Sequence, residues 1–357
     1  MDAIIVPSGR PVSCLQHAID VAKEHDAWLV LMCSLRSSAS DAALAAERAG
    51  VRTKAIDVRR VPDSVVPKFA SDGLLRSSPF HRLVDTSLKR NLGLLIAVLC
   101  GWKRIMFLDD DIVLSQPSNV PAADGLPIVG LANAGMPDNS VVCHALRDTG
   151  EDQDVFIGGG ALVVGEAAFS SFFPNIYNED WFFLIDGLRR RSVAVTGAAI
   201  QAAYDPYCDP RRARSEELGD ILAEGIFALL DIGRGLEDAN GAYWAEFLRD
   251  RRRLISAIIA RAAGSVNKPE QRARVSAALK AAIGRSRLIT PELCVRYLHH
   301  WQSDCLLWRA HLRDLRRGHR AASGIEGALA TLGIAHSAQP GMSGRMMRGA
   351  VRRPFFR

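Results

Sequence analysis

Residues 105–112 read IMFLDDDI, and this stretch is the strongest indication of how the chain folds. Its first half, Ile105–Leu108, is apolar and bounded by polar residues, a pattern typical of a buried strand. Three carboxylates follow directly, and each would be costly to bury without a positive partner. Alternate residues of an extended chain point the same way, so Asp109 and Asp111 are predicted to face one cation together. Oxygen ligands suit Mg²⁺ or Mn²⁺, whereas a solvated acidic turn is the alternative interpretation.

The composition is that of a soluble globular protein. The 357 residues suffice for one large domain and a smaller one, and contents of 48% hydrophobic and 24% charged residues are ordinary. The longest apolar run, Leu92–Cys100, is too short to cross a bilayer, and residues 1–7 show no signal-peptide pattern. We therefore expect a cytoplasmic protein without a transmembrane segment. The seven cysteines contain no Cys-x-x-Cys pair, so neither a disulfide framework nor a structural zinc site is expected.

The net charge of +6 originates mainly from the C-terminal end. No acid follows Glu326, whereas five arginines do, namely Arg345, Arg348, Arg352, Arg353 and Arg357. The rest of the chain carries a net charge of +1. The basic character therefore gives no reason to expect a nucleic-acid partner.

Strand-like and helix-like segments alternate over roughly the first hundred residues. Predicted strands cover 4–7, 28–33, 54–58 and 105–108; predicted helices cover 11–25, 42–49 and a segment that Thr86 or Ser87 caps and Gly101 ends, with 59–82 as a loop. This alternation predicts an α/β fold whose mostly parallel sheet has helices on both faces. Ligands of such sheets bind beyond the carboxyl ends of the strands, where loop Pro7–Pro11 and the three acids are expected to meet.

The second half of the chain becomes helical from about residue 211. Ser215–Glu217 and Thr290–Glu292 are predicted helix starts, since each places a capping hydroxyl before acids or a proline. Three or four helices are expected between residues 211 and 320. Glycine and arginine enrichment beyond residue 335 predicts a loose end.

Four motifs, taken in order, resemble those of the GT-A glycosyltransferases, in particular the family-2-like group. They are the first strand and nucleotide loop at 4–11, the Asn-x-Gly helix start at 89–93, the Asp-x-Asp metal motif at 109–111 and the Glu-Asp acceptor motif at 179–180. The match covers roughly residues 1–205. It implies a GT-A, Rossmann-like domain over 1–205, and the pattern of the remaining sequence predicts a helical region over 206–325 and a basic, flexible tail over 326–357.

The resemblance also implies a chemistry, which is transfer of a sugar from a nucleoside-diphosphate sugar to a hydroxyl of a small-molecule or glycan acceptor. Mn²⁺ or Mg²⁺ held by Asp109 and Asp111 would stabilise the leaving diphosphate. Asp180 would be the general base of an inverting reaction, supported by Glu179, and Trp181 would wall the acceptor site. The implied donor-binding residues are Pro7, Ser8, Arg10, Lys89, Arg90, Asn91, Asp109, Asp110, Gly159 and Gly160.

Several departures from the family pattern keep alternatives open. Ser8-Gly9 stands where the family usually has Thr-x-Asn, the Gln-x-x-Arg-Trp segment is missing, and only His144 and His300 offer themselves as a third metal ligand. The alternative functions are a retaining GT-A transferase, a haloacid-dehalogenase-type phosphatase and a non-catalytic nucleotide-sugar binder. The sequence is also compatible with a homo-oligomer. The phosphatase nucleophile would normally follow the first strand, and a nucleotidyltransferase would need a Gly-x-Gly-x-Arg loop after it.

Overall fold

The computed structural model describes residues 1–117, 120, 126–136, 140–151, 157–189, 193–265, 268–318 and 324–334. The strands are β1 (Ala3–Ser8), β2 (Trp28–Cys33), β3 (Thr53–Asp57), β4 (Arg104–Leu108), β5 (Ile112–Leu114), β6 (Ile128–Gly135), β7 (Ala161–Gly165) and β8 (Val193–Gln201). Within the described ranges they form one eight-stranded sheet in the order β3-β2-β1-β4-β7-β6-β8-β5.

The first half of the sheet is parallel and buried on both faces. β1 pairs in parallel with β2 on one side and with β4 on the other, and β3 pairs with β2. Alternate residues of β1 enter different cores: Ala3 and Ile5 pack with one apolar cluster, Ile4 and Val6 with the other. An uninterrupted apolar strand therefore fits the centre of the sheet.

The second half of the sheet is mixed. β7 runs antiparallel to both β4 and β6, β6 is parallel to β8, and β5 runs antiparallel to β8 at the edge. The predicted α/β class with helices flanking a Rossmann-like sheet is confirmed. The antiparallel insertion of β7 beside β4 is a feature that the strand–helix alternation did not predict.

Eleven α-helices occupy the described residues. They are α1 (Gln16–Glu24), α2 (Ala39–Arg48), α3 (Ala70–Arg76), α4 (Thr86–Cys100), α5 (Val141–Asp148), α6 (Glu179–Arg189), α7 (Pro210–Asp231), α8 (Gly241–Ser265), α9 (Pro269–Ser286), α10 (Pro291–Gly318) and α11 (Gly324–Thr331). Four of them, α7 to α10, cover the part of the chain from Pro210 to Gly318, where three or four were expected, and α10 begins at Pro291 as predicted.

Three local predictions are wrong. The N-cap residue of α4 is Asp85, not Thr86 or Ser87, and α4 begins at Thr86. α7 begins at Pro210, so Ser215–Glu217 lies inside the helix. The predicted loop 59–82 contains α3, whose first N–H groups, those of Ala70 and Ser71, bond to the Asp304 carboxylate of α10 at 2.8 and 2.9 Å. A cap supplied from so far along the chain leaves no local signal.

The C-terminal helices share the main apolar core with the sheet. Trp308 of α10 packs beside Phe172 with ring centroids 6.2 Å apart, and Leu329 of α11 is buried in the same core. The predicted boundary at 205/206 falls in the connection between β8 and α7. Residues 326–334 of the predicted tail belong to the folded body, whereas 335–357 lie outside the described residues.

None of the helices in the described part of the chain combines the length and hydropathy that a bilayer crossing requires. All seven cysteines lie in described ranges and are free thiols. Cys208, between β8 and α7, is the exposed one; the others are buried or partly buried.

Candidate active site

The loop after β1 and the acids after β4 meet at the carboxyl ends of the two neighbouring strands. Asp110 is buried, and its carboxylate accepts hydrogen bonds from the backbone N–H groups of Gly9 and Arg10 at 2.9 and 3.0 Å. The Ser8 hydroxyl donates to the same oxygen at 3.1 Å. Asp110 therefore fixes the first loop, while its neighbours Asp109 and Asp111 make other contacts.

Arg10 closes the rim of this crevice. Its guanidinium contacts Asp110 at 2.5 Å and Asp111 at 2.9 Å, while 44% of its side chain stays exposed. The Asp111 side chain is 15% exposed. Arg10 is thus the most exposed charged side chain among the ion pairs of the site.

Arg90 connects the end of β4 with the start of α6. This buried residue in the first turns of α4 contacts Asp109 and Glu179, each at 3.0 Å. Its guanidinium also lies 5.5 Å from the centre of the Phe173 ring, a cation–π arrangement. Glu179 has a second, longer contact of 3.8 Å to Arg82.

Gly159 is required by this arrangement. A Cβ atom at that position would lie 2.4 Å from a guanidinium nitrogen of Arg90 and 2.9 Å from Cβ of Asp180. The Gly159 N–H donates to Asp180 at 2.5 Å, and the Trp181 N–H donates to the other oxygen of Asp180 at 2.9 Å. The half-buried Asp180 carboxylate is thus held from both sides. Acids in the first turn are also favoured by the helix dipole of α6, so a purely structural role remains compatible with the position.

The carboxylates outnumber the cations in this crevice. Five acids, Asp109, Asp110, Asp111, Glu179 and Asp180, lie among three guanidinium groups, those of Arg10, Arg82 and Arg90. Burial raises the pKa of Asp109 to about 6, although Arg90 opposes that shift. Burial likewise raises the pKa of Glu179, again against Arg90. The negative excess is relieved by protonation or by a cation.

The fit of a divalent ion rests on Asp109 and Asp111. Mg²⁺ commonly binds through one or two carboxylates and completes its shell with water and substrate phosphates, so two acids at a charge-excess crevice fit that pattern. Across the described ranges, no three His, Cys, Asp or Glu side chains form a group that could hold an ion by themselves. His144, a candidate third ligand, bonds through Nε2 to the Tyr204 hydroxyl at 2.9 Å, and burial and Arg212 lower its pKa to about 4. The metal assignment stays a prediction.

Lys89 and Asn91 flank Arg90 but form the walls of the site. The Lys89 ammonium bonds to the Ser8 carbonyl at 2.9 Å, to Ser34 Oγ at 2.7 Å and to Asp85 at 2.9 Å, which uses its three N–H groups. Asn91 donates to the Phe173 carbonyl at 2.8 Å and accepts from the Phe173 N–H at 2.9 Å. Their predicted contacts with a donor stay predictions.

The remaining predicted residues lie nearby in different settings. Pro7 is buried within β1, and the Gly160 carbonyl accepts the Asp109 N–H at 2.9 Å. Trp181 is half-buried against Phe227 of α7, with ring centroids 4.7 Å apart. The predicted acceptor contact of Trp181 stays a prediction.

Arg82 is the site residue that the sequence did not indicate. It lies in a segment interpreted as a loop, and it reaches Glu179 although the two are far apart in the chain. A single arginine in a polar segment carries no local signal of such a contact.

Comparison with known proteins adds little to this geometry. No protein-family model matches the sequence, and no curated protein sequence matches it. A crystal structure from Bacillus anthracis, described as a glucose-1-phosphate thymidylyltransferase in complex with sucrose, is similar over 57% of this chain and 88% of that chain. The identity is 12% and the TM-score 0.33, a likeness too weak to support an argument about activity.

Proposed function

We propose that the protein transfers a sugar from a nucleoside diphosphate to an acceptor hydroxyl, with inversion at the anomeric carbon. The observation that supports this best is the convergence, around Arg90, of the β4 acid Asp109 and the α6 acids Glu179 and Asp180. One end of the crevice can bind a diphosphate with its counter-ion, and the other presents a fixed carboxylate.

The donor half comprises the ends of β1 and β4. Asp109 and Asp111 would hold Mn²⁺ or Mg²⁺, which when bound supplies Lewis-acid stabilisation of the leaving diphosphate. Arg10 is half-exposed at the rim, so its guanidinium can turn from Asp111 to a phosphate oxygen. Gly159 and Gly160 are buried, with the side chains of Arg90 and Asp109 lying beside them, so they would serve the donor site by letting those two side chains approach.

The acceptor half is the start of α6. Asp180 would take the proton of the acceptor hydroxyl as that oxygen bonds to the anomeric carbon. The bond between that carbon and the diphosphate breaks, and its electron pair leaves with the diphosphate. Two backbone N–H groups hold the Asp180 carboxylate in place, a pre-organisation suited to a base that must lie on the face opposite the leaving group.

A thermal-shift panel tests the donor half. Nucleoside-diphosphate sugars of each base are added with and without Mn²⁺, and we expect one base to raise Tm only when the metal is present. Asp111→Asn should lose that shift, whereas the exposed Asp63→Asn should keep it. The proposal is wrong if no nucleotide sugar stabilises the protein.

The same panel separates two alternatives. Stabilisation by nucleoside triphosphates and sugar 1-phosphates instead would indicate nucleotidyl transfer. Once a donor and an acceptor are found, the anomeric configuration of the product, measured by NMR, distinguishes inversion from retention.

A further inference from the structure

A cavity of about 340 Å³ lies beside the candidate active site, and its charged lining is entirely cationic. It is bordered by the segment 79–82 that follows α3, by the first turns of α7 and by the end of α9. Four arginines line it, Arg82, Arg211, Arg214 and Arg285. Among the residues that the structure describes, no Asp or Glu contributes to the lining. We call this cavity the arginine pocket.

Two of the four guanidinium groups are neutralised at its edge. Arg82 lies 3.8 Å from Glu179, and Arg211 pairs with Asp209 at 2.9 Å. Neither Glu179 nor Asp209 lines the pocket, so both compensate arginine charge without occupying the cavity.

The other two guanidinium groups form no ion pair with a carboxylate of the described residues, although Asp209 interacts electrostatically with Arg214 as well as with Arg211. Arg285 donates to the Pro79 carbonyl at 2.6 Å and lies over the Phe80 ring at 5.4 Å, both uncharged groups. Arg214 makes no ion pair with any residue in the described ranges. Burial and the nearby Arg214 lower the pKa of Arg285, the direction expected for cations held close together without an anion. The pocket thus carries about two uncompensated positive charges.

The residues that line one side of the pocket are connected along the chain to the proposed catalytic acids. Ile176 and Gly219 line it, and a Cβ on Gly219 would lie 2.1 Å from the Tyr177 carbonyl oxygen. The segment below the pocket therefore continues through Asn178 to Glu179, where α6 begins. Arg82 belongs to both places, since it lines the pocket and contacts Glu179.

We infer that the arginine pocket binds a phosphomonoester carried by the acceptor substrate. A phosphomonoester bears a charge of about −1.5 to −2 near neutral pH, which matches the two unpaired guanidinium groups. Arginine presents forked N–H donors suited to phosphate oxygens, and a cavity of this size accommodates a small phosphorylated molecule. The assignment to the acceptor rests on the proposed function, because it depends on Asp180 being the base.

Calorimetric titration with inorganic phosphate, at ionic strength matched with chloride, tests the pocket itself. We expect wild-type protein to bind phosphate, and the double variant Arg214→Gln/Arg285→Gln to bind at least about tenfold more weakly. Arg214→Lys/Arg285→Lys should retain most of the affinity, since it keeps the charge. Arg287→Gln changes an exposed arginine that directly follows α9, two residues after Arg285; it is the matched control and should bind as wild type. Arg214→Gln alone, at an exposed position, gives a weakened variant even if the double variant folds poorly.

Titration with the nucleoside diphosphate selected by the thermal-shift panel identifies which substrate carries the phosphate. The glutamine variants should keep wild-type affinity for it; an equal loss would overturn the acceptor assignment, because the pocket would then hold the donor. The claim that the arginine pocket binds phosphate would be overturned if wild-type protein bound none at about 10 mM phosphate, or if the glutamine variants bound phosphate as well as wild type. Phosphate binding that depends on the arginines without any nucleotide binding would instead contradict the proposed function alone.

Discussion

Arg90 is a buried cation that keeps its charge because three acids surround it. Burial lowers its pKa, but Asp109, Glu179 and Asp180 together raise it above the usual value. Its Nε atom has no hydrogen-bond partner among the residues that the structure describes, so the two terminal nitrogens make the contacts. Any change that shifts the guanidinium leaves buried charges unpaired, which is strongly destabilising.

Gly159→Ala tests how closely Arg90 is packed. The added Cβ would collide with a guanidinium nitrogen, so the side chain must leave Asp109 or Glu179. We expect the free energy of unfolding to fall by about 1–3 kcal/mol, as for other overpacked sites, and metal-dependent nucleotide binding to weaken. Urea denaturation and the thermal-shift panel measure the two effects.

Gly73→Ala is the control, since no atom of the described part of the chain lies within 4 Å of a Cβ at that position of α3. It should leave stability unchanged or slightly raised. Equal stability of Gly159→Ala and wild type would show that the packing around Arg90 is looser than described.

Asp180→Asn tests the proposed base. Asparagine keeps the shape and an oxygen that can accept the Gly159 N–H, but it cannot take a proton from a hydroxyl. We expect nucleotide-sugar binding to persist and kcat to fall by about 10²–10⁴-fold, the usual contribution of general-base catalysis. Near-normal turnover of this variant would refute the assignment.

The sequence indicated these residues unevenly. Asp109 to Asp111 and the β1 loop could be brought together from strand ends alone, because parallel strands place their carboxyl ends on one edge. The roles of Lys89, Arg90 and Asn91 could not be separated, although neighbouring residues of a helix point in different directions. Of the three, Arg90 makes the ion pairs with the acids of β4 and α6, and Lys89 and Asn91 bond to backbone around it.

At the scale of elements, α7 determines where α6 begins. Gly219 lets α7 approach the Tyr177 carbonyl, and Asp220 accepts a hydrogen bond from Asn178 at 3.0 Å. Asn178 has a left-handed φ of 61°, a conformation that asparagine tolerates better than most residues. Its side chain and backbone together orient the residues that start α6.

Asn178→Gly isolates the hydrogen bond, because glycine accepts the same φ. Loss of this bond should lower the free energy of unfolding by about 1 kcal/mol and reduce kcat more than nucleotide binding. Asn178→Ala should be less stable still, by roughly 1–2 kcal/mol, since alanine is strained at that φ. If turnover and stability of the glycine variant both match wild type, α7 does not position α6 through this contact.

The structure of α7 explains why the predicted helix start at Ser215–Glu217 is wrong. Ser215–Glu217 has the composition of a helix N-terminus, yet Glu216 and Glu217 are interior and buried. Glu216 pairs with Arg212 at 2.5 Å, and Glu217 pairs with Arg251 of α8 at 3.3 Å. The Arg251 contact joins residues far apart in sequence, so it leaves no local signal. The acids of Ser215–Glu217 could therefore be interpreted either as a helix start or as buried partners of distant arginines.

At the scale of the whole molecule, the α/β class followed from the strand–helix alternation, whereas the mixed half of the sheet did not. Pairings such as β4 with β7 join segments separated by more than fifty residues, and periodicity contains no information on partners. The helical region likewise depends on a buried charge cluster that links α7 to α8. In it, Arg251 contacts Glu217, Asp220 and Glu224.

This charge cluster predicts a pH dependence of stability. Burial raises the pKa of Glu217 from 4.5 to about 7, against the effect of Arg251. The folded state therefore holds a proton that the unfolded chain has released, and the stability is fully present below pH 4.5 and lost as pH rises to about 7. The loss is of the order of 3 kcal/mol.

Glu217→Gln removes this titration. Its free energy of unfolding, measured by urea denaturation from pH 5 to 8, should fall less with pH than that of wild type. Glu246→Gln, at an exposed position of α8, should follow the wild-type profile. Parallel profiles for Glu217→Gln and wild type would mean that Glu217 is ionised throughout.

The uneven exposure of the cysteines makes Cys208 the thiol that a fluorescent label reaches most readily. Burial raises the pKa of Cys100 and of Cys294 to about 12, so these thiols react slowly with maleimides at neutral pH. Cys208 is exposed and precedes Arg211 of the arginine pocket by three residues. A dye coupled there would report ligand binding at the start of α7.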